Sequence, residues 1–307
     1  VLISAAPDIL FARDTDGDGR ADESRVLFTG FGEGNHQHRM NGFEYGLDNW
    51  VYGANGDSGG VISSPGSGRR VNIRGRDFRF RPDTLAFQTQ TGQTQYGRRR
   101  DDWGNWFGNN NPSLGWHYTQ PGHYLRRNPH FIAPSPRRSL GNYERSHQVN
   151  GISQPLQRFN GVGTFQHITA ANSPAPYRDE LFGEQSAQHL FISAPAYNVV
   201  RRELLQPSGV SFTSHRPEGA DGPEFLASRD AWFRPITLRT GPDGALWIAD
   251  FYRLVLEHPQ WIPNDVESMI DLRSGSDRGR IYRVYRDENK PRPIPDLHNR
   301  DTAPLVA

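Results

Sequence analysis

"GPDGALWIADFY" (Gly241–Tyr252) and "GLDNWVYGANGD" (Gly46–Asp57) share one order of residues: Gly-x-Asp, a turn, then an aromatic-rich run ending on a polar side chain. "GEQSAQHLFISAP" (Gly183–Pro195) is a weaker third copy. Glycine and aspartate favour a tight turn, and a short run of aromatic and aliphatic residues after it favours a strand. A turn and an inner strand repeated at wide spacing is how a β-propeller reads, because each blade is a small antiparallel sheet. Further short β-type runs, "RVLFTGF", "DFRFRP" and "GRIYRVYRD", recur between turn signals, and long helical periodicity is scarce. The fold class predicted is therefore all-β, a β-propeller with long loop insertions. A β-sandwich is the alternative.

Composition narrows the function classes. The 35 basic and 34 acidic residues of this 307-residue chain leave a net charge of +1, which excludes binding of nucleic acid driven by overall charge. Lys290 is the one lysine, so the positive charge is almost all arginine, either from codon bias or from a need for forked contacts. With no cysteine, the stretch holds neither a disulfide nor a CxxCH haem attachment. No apolar run approaches the ~20 residues of a membrane span, and no signal peptide is recognisable. Val1 opens directly into strand-like "VLIS", which suggests a processed chain or a fragment. Residues 1–286 read as the propeller domain, and 287–307 as a proline-rich linker toward a further domain. Between the clearer blades, Gly97–Tyr118 reads as an ordered loop capping one face, and "WIPNDVESMIDL" as a helix or a long loop.

Two stretches carry chemistry. In "DTDGDGRAD" the acidic residues Asp14, Asp16, Asp18 and Asp22 fall at positions one, three, five and nine of a loop. Gly19 permits a sharp turn, and Arg20 offers its backbone carbonyl at position seven. That is a calcium pattern, since a hard cation takes several oxygen ligands at flexible geometry. Arg25 stands where a standard EF-hand has its final glutamate, so a hairpin loop of the DxDGDGxxD kind is expected. In "GNHQHRMNGFEYGLDNWVYGANGD", His36 and His38 alternate as on one strand face, Arg39 follows, and the next strand ends at Asp57. A histidine paired with a carboxylate makes a general base, while a structural role or a two-histidine metal site lacking its third ligand are the other readings. Asp101, Asp102, Trp103 and Asn105 form either a binding rim or a self-bonded loop. His189 reads as structural.

On these residues the chain resembles the soluble quinoprotein glucose and aldose sugar dehydrogenases. "HQHRMNGFEYGLDNWVYGANGD" is similar to the blade that carries their catalytic histidine, and Ile168–Leu204 and "TLRTGPDGALWIADFY" with "DRGRIYRVYRD" to two further blades. "DTDGDGRADESRVLFTGFGEGNHQHRMNG", "DDWGNWF" and "FLASRDAWFRPITLRTGPDGALWIADFYR" resemble more closely a bacterial branch of that superfamily. These are large membrane-bound dehydrogenases of planctomycete-type genomes, with a cytochrome c domain after the propeller. The resemblance implies a six-bladed propeller with an incomplete first blade, in an extracytoplasmic (periplasmic or cell-surface) bacterial protein. It implies oxidation of a small-molecule sugar or related alcohol, with pyrroloquinoline quinone taking the hydride and a cytochrome-type acceptor the electrons. His38 would be the base and Asp57 the carboxylate that orients it. The family's cofactor-binding arginines and lysine have no clear counterparts; Arg39 and Arg158 are the candidates to hold the quinone. The alternative function is a non-catalytic, calcium-stabilised propeller that docks a protein or carbohydrate on Trp103, Trp106 and Trp116, or a structural subunit of a redox assembly.

Overall fold

The computed structural model describes residues 1–125, 127–141, 148–153, 168–219 and 222–294. They form an all-β propeller of five blades, every strand pair antiparallel. The first blade holds Leu2–Ala5, Asp8–Arg13, Glu23–Phe31, Gly60–Ser63 and Val71–Asn72, and the second Asn41–Tyr45, Val51–Ala54, Asp77–Phe80 and Phe87–Gln90. These two interleave: the chain leaves the first blade after Phe31, lays down two strands of the second, and returns at Gly60. The third blade is Arg99–Arg100, Trp106–Gly108, Trp116–Tyr118 and Arg137–Ser139; the fourth runs Asn172–Pro176, His189–Ala194, Val199–Ser208 and Ser211–His215, with Leu226–Ala227 also paired to Val199–Ser208. The fifth has three strands, Pro235–Thr240, Leu246–Asp250 and Arg280–Val284. Against the expected six blades the described residues supply five. The blade shortest of strands is the last of them, while the first has five strands.

The repeated turn has a physical explanation. In all three copies the strand after the turn is the second strand of its blade. Gly46 and Gly241 lie against the ring of the aromatic residue six positions on, Tyr52 and Trp247, where a Cβ would overlap the ring. The aspartate of the turn accepts from that same ring: Asp48 Oδ2 from the Tyr52 hydroxyl at 3.0 Å, Asp243 Oδ1 from Trp247 Nε1 at 2.9 Å. An arginine of the third strand then closes each unit, Arg79 on Asp48 at 2.8 Å and Arg283 on Asp243. Glycine, aspartate and aromatic residue thus keep their spacing because each touches the next.

The blades pack face to face over separate apolar clusters. Ile9, Phe28, Phe31, Phe78, Phe80 and Phe87 fill the space between the first two. Phe107, Leu140, Leu190 and Val199 do so between the third and fourth, and Phe191, Phe233, Leu238 and Ile248 between the fourth and fifth. The first strands of separate blades also reach one another: Arg239 in Pro235–Thr240 donates to the Phe43 carbonyl at 2.6 Å and pairs with Glu44, which Arg99 approaches at 3.7 Å.

Gly97–Tyr118, expected as a capping loop, instead supplies three strands of the third blade. Strands of two or three residues separated by glycine and asparagine are too short to show a period of two. Trp116 is buried there and Trp106 is half-buried, its ring tilted against Tyr52 with centroids 4.1 Å apart, whereas Trp103 is 73% exposed. Asp101 accepts from the backbone of Trp103 and Asn105 and from the Asn105 side chain, the self-bonded alternative for that loop. "WIPNDVESMIDL" holds a one-turn helix, Asn264–Glu267, after a 3-10 turn, Pro259–Trp261. His189 is buried as a structural residue, and burial, then the Arg202 charge, push its imidazole down to about 4. No helix among the described residues is long and apolar enough to cross a membrane.

Candidate functional site

The connecting loops meet at one end of the blades through a chain of main-chain bonds. Ser58 N donates to the His38 carbonyl at 3.1 Å, Gly56 N to Thr94 O at 3.0 Å and Gln95 N to Asn109 O at 3.0 Å. Ala171 N reaches Asn111 O at 3.1 Å, and Ser173 N reaches Tyr96 O at 3.0 Å. Side-chain amides tie the same loops together. Asn41 donates to the carbonyls of Arg39 and Gln95 and accepts from Gly97 N, while Asn55 donates to Ile73 and Arg76 and accepts from Gly59 N. Neutral amides suit this task, since each supplies a donor and an acceptor to loop backbone that has no strand partner.

His38 sits inside this belt. The sequence suggested a strand, but residues His36–His38 form a 3-10 turn, capped by Asn35, whose side chain accepts from Gln37 N at 2.9 Å. Residues two apart on such a turn point in different directions. His36 accordingly faces His258, ring centroids 6.1 Å apart, and His38 faces Gln95, whose Nε2 lies 2.9 Å from its Nε2. Asp57, the expected orienting carboxylate, shares no hydrogen bond with His38 among the described residues; it accepts from Gln93 Nε2 at 2.8 Å. Burial, and after it the Asp57 charge, push the neighbouring Tyr96 phenol up to about 12. Arg39 donates from Nε and Nη2 to the Glu33 carbonyl at 3.3 and 3.0 Å, and its Nη1 makes no hydrogen bond among the described residues. Arg158 lies outside the described residues.

Gln95 is the residue that sequence reasoning missed. It stands 57 positions from His38, in a stretch of glutamines and glycines with no motif to mark it.

The acidic loop is a hairpin connection between Asp8–Arg13 and Glu23–Phe31, with Gly17 and Gly19 at φ of 82° and 85°. One carboxylate oxygen from each of Asp14, Asp16 and Asp18 lies within 4.8 Å of the others. Asp22 stands apart from that trio, accepting from Thr15 N at 2.7 Å and Thr15 Oγ1 at 2.6 Å. The N–H groups of Gly19 and Gly17 hold the Asp14 carboxyl below its usual range, and the hydroxyl and N–H of Thr15 do the same for Asp22. Asp18 Oδ1 accepts from Arg20 N at 2.8 Å. The loop is thus pre-shaped by its own amides, which bring the three carboxylates close together.

A family model described as "Domain of unknown function (DUF7133)" matches residues 1–288. Among solved structures, the chain is similar to one titled glucose dehydrogenase, at 18% identity and a TM-score of 0.37, over 79% of this chain and 69% of that one. It is also similar to an oxidoreductase of Thermus thermophilus described as a glucose dehydrogenase, at 13% identity and a TM-score of 0.39, over 92% of both chains. No curated protein matches.

Proposed function

This chain belongs to the DUF7133 family, and from that premise we propose that it oxidises a sugar or related alcohol where the blade loops meet, passing electrons through a quinone to a cytochrome-type acceptor outside the cytoplasm. The observation that carries the reading is the imidazole of His38, held at one nitrogen by Gln95 while its other nitrogen is unbonded among the described residues. A ring held on one side and reachable on the other can meet a hydroxyl brought to the loop end, and the imidazole is the group there able to take its proton. Pyrroloquinoline quinone, when bound, supplies a hydride acceptor. The residues fit such a group through Arg39, whose unbonded Nη1 would hold one of its carboxylates. The chain's own contribution is then to orient the alcohol against His38, to take the hydroxyl proton on that ring, and to limit water through the surrounding amide belt. Asp57 holds the loop through Gln93 in this reading.

The test is dye reduction by the calcium-loaded chain with added pyrroloquinoline quinone, over a panel of aldoses and polyols. Saturable quinone binding, with reduction that is lost in His38→Ala, is the expected result. No binding by folded protein would end the reading and leave a propeller kept for its surfaces.

Calcium belongs to the same proposal, as a staple of the Asp14–Asp22 hairpin. An ion bound by Asp14, Asp16 and Asp18 stabilises the folded state by mass action, raising the folded-to-unfolded ratio about a hundredfold when calcium is at 100 times its Kd. Thermal unfolding with and without a chelator reads this directly. A midpoint that does not fall on strict chelation would remove calcium from the account, and Asp16→Asn with Asp18→Asn should reproduce the chelated value.

A further inference from the structure

The bond that holds His38 has a polarity fixed by the backbone. A glutamine amide accepts at its oxygen and only donates at its nitrogen. The Gln95 oxygen takes the main-chain N–H of Asn111 at 2.8 Å, and a main-chain N–H has no choice but to donate. The Gln95 nitrogen is therefore the end that faces His38 Nε2 at 2.9 Å, and a donor there requires Nε2 to present its lone pair. The neutral ring must then carry its proton on Nδ1. Turning the amide over would set its nitrogen against the Asn111 N–H, two donors face to face. Nor is the backbone of Gln95 free to shift: its N–H donates to Asn109 O at 3.0 Å, and its carbonyl accepts from Asn41 Nδ2 at 2.7 Å. His38 Nδ1 makes no hydrogen bond among the described residues, and it is not a buried atom left without a partner.

We propose that Gln95 is the positioning residue of this site: by covering the Nε2 lone pair it keeps the His38 proton on Nδ1, so the resting ring meets a ligand as a hydrogen-bond donor to oxygen. The class it takes at Nδ1 is a small molecule presenting a hydroxyl or carbonyl oxygen, which has lone pairs to accept; an ammonium group has none. Joined to the oxidation reading, on which this last step alone rests, the lone pair that takes the hydroxyl proton is the one under Gln95. The substrate hydroxyl must displace the amide to reach it. The O–H bond then breaks as Nε2–H forms, leaving the ring as imidazolium with a proton on each nitrogen.

The test is histidine-selective ¹⁵N labelling of the full chain, recorded where the rings are neutral, with His38 assigned by its absence in His38→Gln. Wild type should show a protonated Nδ1 and an unprotonated Nε2. In Gln95→Glu the carboxylate accepts both the Asn111 N–H and the ring proton, so the proton moves to Nε2 and the two signals exchange types. A wild-type ring protonated on Nε2 would overturn the assignment, and so would a Gln95→Glu ring that keeps its proton on Nδ1. The wild-type spectrum decides even if a variant does not fold. Since no substrate or quinone is added, failure here is distinct from failure of dye reduction.

Discussion

Asp77→Ala is expected to lower folding stability by about 3–5 kcal/mol, the range for removing one partner of a buried ion pair. Asp77 is fully buried and accepts four hydrogen bonds: from Asn55 N at 3.0 Å, Thr94 N at 2.9 Å, Thr94 Oγ1 at 2.6 Å and Arg98 Nη1 at 2.9 Å. Its partner Arg98, 3% exposed, is surrounded by aromatic faces: Tyr118, Trp106 and Tyr52, at 4.6, 5.1 and 5.7 Å from its guanidinium to the ring centroids. Losing the carboxylate strands that charge among rings and leaves two backbone N–H groups unpaired where water does not reach. Asn55 and Thr94 also lie in the loops that carry Asp57 and Gln95, so the damage extends to the candidate site. Urea unfolding measures the loss. Asp77→Asn, which keeps acceptors for part of the network, should lose less; a change below about 1 kcal/mol for alanine would mean that the rings and the Thr91 carbonyl, which also accepts from Arg98 Nη1, are enough to hold Arg98.

What was legible in the sequence follows the distance over which each interaction acts. The Gly-x-Asp turn was readable because Gly241, Asp243 and Trp247 touch within seven residues, and Gly46, Asp48 and Tyr52 do the same. The acidic hairpin was readable for the same reason, and Asp22 ties its two ends by accepting from Thr15. The third blade was not readable, because strands such as Arg99–Arg100 owe their existence to partners across the sheet and not to any local pattern. The candidate site divides in the same way. His38 could be singled out from its neighbours, whereas its partner could not, since a carboxylate near in sequence looked the better choice than an amide 57 residues away.

Gly56→Ala is the second large effect, and it separates two causes of strain. Gly56 has a φ of +72° and is followed by Asp57 at +74°, so the chain makes two successive left-handed steps to turn from the second blade back toward the first. A side chain in that conformation costs about 1–2 kcal/mol by itself. At Gly56 there is also no room: a Cβ would overlap the Arg39 carbonyl and come within 2.6 Å of the His38 carbonyl oxygen. Both are main-chain atoms that cannot swing aside, which adds the roughly 1–3 kcal/mol typical of overpacking, for about 2–5 kcal/mol in all. Gly17 supplies the comparison. Its φ is +82°, but nothing lies within 4 Å of a Cβ built there, so Gly17→Ala in chelated protein should show the backbone cost alone. Urea midpoints of the two variants give the difference, and equal losses would mean that the collision is relieved at no cost. Relief of the collision would separate the turn carrying His38 and Arg39 from the Asn55–Ser58 turn. The bond from Ser58 N to the His38 carbonyl would then break, and the His38 ring would leave Gln95. The ¹⁵N pattern of His38 in Gly56→Ala should therefore lose its fixed tautomer even in protein that still folds, a readout that loss of stability alone does not produce.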